Sequence, residues 1–238
     1  MSILCQLYTF PQPNLFLPLC YNMLMVKKKS IKNLYRDYLD NKIKLKKYQI
    51  VGIFLLTWAV AGVVGWVYEF IVGFTEPGGP YLQGGNLLPW INIYAVGAVL
   101  IIPAVYKVKK YPWAVFLISV LVTGIVELIG GWLVYTIGNG ERYWNYDHGL
   151  WAIGSINGFV CPLSVFFFGI GALGLIYFFL PYFIYLALNM SKRTFLILAI
   201  SLFVIFTADE VINLILKNTG QPTAMDFYRS LGLKYQEL

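Results

Sequence analysis

Residues 50–74 read IVGIFLLTWAVAGVVGWVYEFIVGF, an apolar run of 25 positions with one charged side chain, Glu69. A helix rises about 1.5 Å per residue, so this run alone outreaches the roughly 30 Å of bilayer hydrocarbon. Four more apolar blocks follow it: Leu87–Tyr106, Trp113–Ile137, a long one within Ile156–Leu188, and Phe195–Leu216. The pattern predicts an all-α, polytopic transmembrane helix bundle of about five spans. The spans occupy residues 49–217, between an N-terminal segment 1–48 and a short tail 218–238. Gly154, Gly158 and Pro162 lie at the start of the fourth block and are expected to break it into a short half-helix. Such breaks are tolerated at membrane depth where the freed backbone lines protein or water.

Only 12% of the 238 residues are charged, against about 25% in soluble domains. The formal charge of +7 would suit nucleic acid, but its location argues otherwise. Nine of the 18 Lys and Arg lie between Lys27 and Lys47, directly before the first span. There they act as a topology signal and a contact for anionic lipid headgroups, and no nucleic-acid partner is expected. Ile31, Leu34, Tyr35, Tyr38 and Leu39 fall at helical spacing within this stretch, which predicts a basic amphipathic helix lying in the membrane interface. The apolar 1–26 stretch is broken by Pro11, Pro13 and Pro18 and lacks a basic lead, so no signal peptide is expected. Met23 and Met25, just before the basic run, are candidate translation starts beside Met1.

Lys107, Lys109 and Lys110 sit in one short loop and Lys192 and Arg193 in another, whereas the alternate loops 75–86 and 138–155 share only Arg142. Positive loops stay inside. The N-terminus is therefore expected in the cytoplasm, the tail outside, and the chain in the cell membrane.

Acidic side chains within spans cost about 2.5–3.5 kcal/mol on insertion scales and usually mark function. Glu69, Glu127, Asp209 and Glu210 all fall past the middle of outward-running spans, with no Lys or Arg at their depth. Gly62, Gly65, Trp66, Glu69 and Gly73 share one helix face, as do Thr123, Gly124, Glu127, Gly130 and Gly131. Small residues let helices approach closely, so each glutamate is expected on a packing face. The four acids are the candidate substrate or ion site, joined by Trp144, Tyr146, Asp147 and Asn157 from the loop that follows the third span. The other reading of these acids is that they lock helices together, and of the loop aromatics that they are interface anchors. His148 is the only histidine, and Cys5, Cys20 and Cys161 have no ligand spacing, so no metal site or other cofactor is expected.

Gly65-Trp66-Val67-Tyr68-Glu69, Glu127 with its glycines, Arg142-Tyr143-Trp144-Asn145-Tyr146, and Asn157-Gly158-Phe159-Val160-Cys161-Pro162 recur in this order over residues 50–180. In that order they resemble the CmpB family of ABC transporter permeases. This chain departs from the family pattern at Asn145, where an aspartate is usual, with Asp147 two residues on. The resemblance implies a permease with a separate ATP-binding subunit, since no Gly-x4-Gly-Lys-Ser/Thr loop occurs here. The two internal loops are short, which leaves 27–48 as the docking surface; a second copy of the chain is the other partner expected. The alternative is a non-transporting scaffold, sensor or assembly protein. An enzyme is not expected, because no His-Glu-x-x-His motif and no serine with a histidine base is present.

Overall fold

A computed structural model describes residues 31–74, 85–140 and 142–233, with the side chains of residues 31 and 32 left aside. Lys27–Lys29, Met23, Met25, Cys5, Cys20 and the 75–84 loop lie outside the described residues. The helices are α1 (Ile31–Leu39), α2 (Lys47–Gly73), α3 (Asn92–Val105), α4 (Pro112–Ile137), α5 (Pro162–Gly174), α6 (Leu180–Asn189), α7 (Lys192–Asn218) and α8 (Ala224–Ser230). A π-helical stretch, Leu175–Phe179, joins α5 to α6, so the two form one continuous rod. Apart from helices and turns, the described residues hold only an isolated antiparallel bridge between Ile156 and Val160.

Four of these elements, α2, α4, the α5–α6 rod and α7, are long and apolar enough to cross a bilayer. The chain is thus a multi-pass membrane protein. The second expected span differs. Its helix has 14 residues, about 21 Å at 1.5 Å per residue, which is short of a full crossing. Pro89 disfavours helix at the residue before it, and residues 85–91 enter the bundle as an irregular, bent segment that buries Asn86 and Trp90. Irregular backbone at that depth needs partners from the protein. Ile91 N donates to Gly62 O at 3.1 Å, and the amides of Leu87 and Leu88 donate to the Asp209 carboxylate at 3.3 and 2.7 Å.

The fourth block also differs from expectation. Gly154 and Gly158, both at positive φ, belong to a folded loop with one 3₁₀ turn (Gly149–Ala152), and the helix begins only at Pro162. Proline suits that first position because its missing N–H would be unpaired there anyway.

Helix α2 is the hub, packing against α3, α6 and α7, while α4 packs against α5 and α3. Glycines make these approaches possible. A side chain at Gly52 would collide with Phe195, at Gly62 with Trp90, at Gly65 with Tyr94 and at Gly131 with Phe159. The glycine face around Glu69 therefore packs on α3 and the segment before it, and Gly131 beside Glu127 packs on the loop that leads into α5. Helix α1 lays Leu34 and Tyr38 into the core, and the Tyr38 hydroxyl donates to the Ile176 carbonyl in the π-helical stretch at 2.9 Å. Asn41, in a left-handed conformation, ends that helix. Helix α7 is peripheral: only 11% of its apolar window is buried.

Candidate functional site

Glu127 lies on the α4 face that meets α5 and is 3% exposed. Tyr146, from the loop after α4, donates its hydroxyl to Oε1 at 2.7 Å. Ser164 Oγ, in the first turn of α5, lies 2.7 Å from Oε2 and 2.9 Å from the Cys161 carbonyl. A serine hydroxyl carries one proton and can donate to only one of these two acceptors. The Cys161 carbonyl also accepts from Val165 N at 3.3 Å, so Ser164 is free to donate to Glu127 when the carboxyl is ionised and to Cys161 when it is protonated. The cluster is paired in either state.

Glu69, late in α2, accepts a hydrogen bond from the Tyr94 hydroxyl in the first turn of α3. The two glutamates are close enough to interact electrostatically, and Tyr68 and Tyr146 each feel both of them. Burial, with the adjacent Glu127, pushes the Tyr146 hydroxyl well above its ordinary value, so it remains a donor across the working pH range. The structure thus gathers Glu69, Glu127, Tyr68, Tyr94, Tyr146 and Ser164 at the junction of α2, α3, α4 and α5.

Asp209 and Glu210 form a second cluster on α7. Besides Leu87 and Leu88, Asp209 accepts from the Asn213 side chain at 2.9 Å. Glu210 accepts from the side chains of Asn86 and Asn92 at 2.6 and 2.7 Å. Asn213 Oδ1 accepts from Ala224 N at 2.9 Å, and the Tyr228 hydroxyl donates to the Leu87 carbonyl, so α8 folds back over this junction.

The outer loop is organised around Arg142. One guanidinium nitrogen donates to Asn145 Oδ1 at 3.1 Å, to Asp147 at 3.3 Å and to the Asn157 carbonyl at 2.9 Å. The group also rests over the rings of Tyr135 and Phe159. Trp144 Nε1 donates to the Phe159 carbonyl at 2.7 Å, and Tyr146 N to the Gly158 carbonyl at 3.0 Å. Gly158 must be glycine on two counts: φ is +70°, and a Cβ would strike Arg142. Of the loop residues, Tyr146 reaches the Glu127 cluster, whereas Trp144, Asp147 and the backbone of Asn157 hold the loop that presents it. His148 is exposed, and no group of metal-ligating side chains occurs among the described residues.

Ser164 was the residue that sequence reasoning missed. Its only signal was a lone hydroxyl two positions into an apolar helix, and Tyr94 was visible only within an apolar stretch. Neither spacing says which carboxyl a hydroxyl will meet across a helix interface.

No curated protein and no solved structure matches the chain. The family model described as "Putative ABC-transporter type IV" matches residues 56–214, about two thirds of the chain, from the middle of α2 to the last turn of α7. It covers both acidic clusters and the loop that joins α4 to α5, and the chain belongs to this CmpB-type ABC-transporter family.

Proposed function

We propose that the chain is the membrane-embedded, permease-like part of a transporter, with its N-terminus inside and a proton-linked acidic site formed by Glu69 and Glu127 in the outer half of the bundle. The observation that carries this reading is a buried Glu127 held by two neutral hydroxyls, Tyr146 and Ser164, which keep its carboxyl paired both with and without a proton. A cation that arrives beside two carboxyls in low dielectric displaces that proton, so occupancy depends on outside pH. A separate ATP-binding subunit docks on the inner face through the basic region that includes α1, and the same basic residues hold anionic lipid headgroups.

Infrared difference spectroscopy across a step in outside pH tests the reading. The expected result is a protonated-carboxyl band that disappears in Glu127→Gln while the variant folds normally, together with co-purification of an ATP-binding subunit from native membranes. A wild-type spectrum with no such band would remove the proton-linked site. The second reading, a scaffold, is favoured by Asp209 and Glu210, whose bonds tie α7 to the 86–92 segment. On that reading Glu127→Gln is silent and Glu127→Ala destabilises.

A further inference from the structure

Below the glutamates, a cavity of about 250 Å³ opens between α2, α3 and the α5–α6 rod. It exceeds the roughly 150 Å³ that accommodates a benzene-sized guest and lies just under the usual range of small-molecule sites. Its mouth is formed by Val64, Phe167 and Ile170, each more than a third exposed on the apolar surface of the bundle, so it opens to the acyl chains of the bilayer. Its upper end is aromatic. Tyr94 stacks on Phe168 at 4.9 Å, and Tyr68 lies 6.0 Å from both Tyr94 and Phe167. The Tyr94 hydroxyl, hydrogen-bonded to Glu69, is the partition between the cavity and the carboxyl.

Two further features mark the cavity as built rather than as a packing fault. Thr57 Oγ1 lines it, fully buried and without a hydrogen-bond partner; such an atom in a native structure calls for an explanation. The π-helical stretch contributes Leu175 and Phe179 to the wall, and single π turns within helices concentrate at functional sites.

We infer that this cavity binds a single-chain cationic amphiphile, which enters sideways from the bilayer with its chain between α3 and α5 and its ammonium head on the Tyr68 and Tyr94 rings, drawn by the Glu69 carboxylate behind Tyr94. The sign follows from the surroundings. Aromatic faces backed by carboxyls attract a cation and repel an anion, and no Lys or Arg lies in the sequence between Tyr48 and Tyr106. A cavity of about 250 Å³ suits a single chain. This inference names the substrate class for the acidic site proposed above and rests on that reading.

Gly97 and Gly171 provide clean tests. Both line the cavity, and a Cβ added to either would meet no atom within 4 Å. Gly97→Leu and Gly171→Leu therefore fill the space without a backbone clash. The full chain is placed in phosphatidylcholine nanodiscs with a decylammonium probe that carries a photoreactive tail, and cross-links are mapped by mass spectrometry. Unlabelled decylammonium, decanol and decanoate compete. The expected result is cross-linking to cavity-lining peptides of α3 and α5, displaced by decylammonium at least about tenfold better than by the neutral or anionic chain, a margin of roughly 1.4 kcal/mol. Both leucine variants should keep the wild-type melting temperature and lose the cross-link, while Glu69→Gln should leave the cross-link and erase the preference for the cation. Cross-linking unchanged in folded Gly97→Leu and Gly171→Leu would overturn the site. Equal competition by all three chains would overturn the cation and leave only bulk lipid in the cavity. Either outcome leaves the Glu127 infrared band intact if the acidic-site reading is right, so the two can fail separately.

Discussion

Lys109 is a lysine in a place that suits a hydrophobe. It sits in the loop between α3 and α4 and is fully buried under α1. Its ammonium meets the Asn41 side chain, the Tyr106 carbonyl at 3.0 Å, and the rings of Tyr106 and Tyr38 at 3.6 and 4.9 Å, all of them neutral. The sequence placed Lys109 among inner-face charges without hinting that α1 would cover it. Burial pushes it down to about 8 from 10.5. Between those two values the unfolded chain holds more protons than the folded one, so stability rises with pH across that window and is flat below it. Burial also raises the Tyr38 hydroxyl above its ordinary value of 10. An unfolded chain releases that proton first, which makes stability fall again above about pH 10. Melting temperature in nanodiscs should therefore climb from pH 8 to about pH 10 and then turn down. Lys109→Met, which keeps the apolar stem, should abolish the climb; a climb of equal size in that variant would show that another group produces it.

At the scale of elements, the short second crossing depends on α7. Helix α3 has too few residues to span alone, and the irregular segment above it is held by Asp209 through the Leu87 and Leu88 amides and by Glu210 through Asn86 and Asn92. Removing an acceptor from a buried donor costs about 1–3 kcal/mol, so Asp209→Ala and Glu210→Ala should each lower stability by that much. In Asp209→Ala the Leu88 amide should also exchange its hydrogen markedly faster, as read by mass spectrometry in lipid. Ordinary exchange at Leu88 in Asp209→Ala would mean that the segment is held otherwise. The same measurement should find α1 protected, since Leu34 and Tyr38 are buried and the Tyr38 hydroxyl is bonded to Ile176; random-coil rates there would remove the docking surface for a cytoplasmic subunit. Helix existence was legible in the sequence because unbroken apolar length carries it, and α2, α4 and α7 fall within a few residues of expectation. The break before α3 was not. Pro89 hints at it, but the reason the chain can remain irregular there is a pair of carboxylates more than a hundred residues away. The glycine faces around Glu69 and Glu127 were legible as periodicity, and the hydroxyls that complete the site were not, because they come from neighbouring elements.

Across the whole molecule, contacts fix which ends of the helices lie together, and charge then orients them. Lys109 bonds to Asn41, and Gln49 Nε2 donates to the Ala187 carbonyl at 2.6 Å, so the start of α2, the α3–α4 loop and the end of α6 share one side. Asp209 and Glu210 meet the 86–92 segment, Tyr228 meets Leu87, and Lys217 lies over the Tyr143 ring, so the far ends share the other. This parity requires that α3, though short, return the chain to the side it left, giving five crossings in all. Lys44, Lys110 and Arg193 are exposed on the first side, His148 and Thr219 on the second. On the reading proposed above, the excess of Lys and Arg places the first side in the cytoplasm. Single cysteines at these five positions, in a chain with Cys5 and Cys20 replaced and Cys161→Ser to keep its cap on Ser164 N, separate parity from orientation. An impermeant thiol reagent on intact cells should label His148→Cys and Thr219→Cys, and should reach Lys44→Cys, Lys110→Cys and Arg193→Cys only after permeabilisation. The opposite pattern would invert the protein, placing the Glu69–Glu127 site toward the cytoplasm and ending the outward-facing reading while leaving the fold intact. Labelling that splits Lys44 from Lys110 would mean that α3 does not cross, and the bundle itself would have to be redrawn.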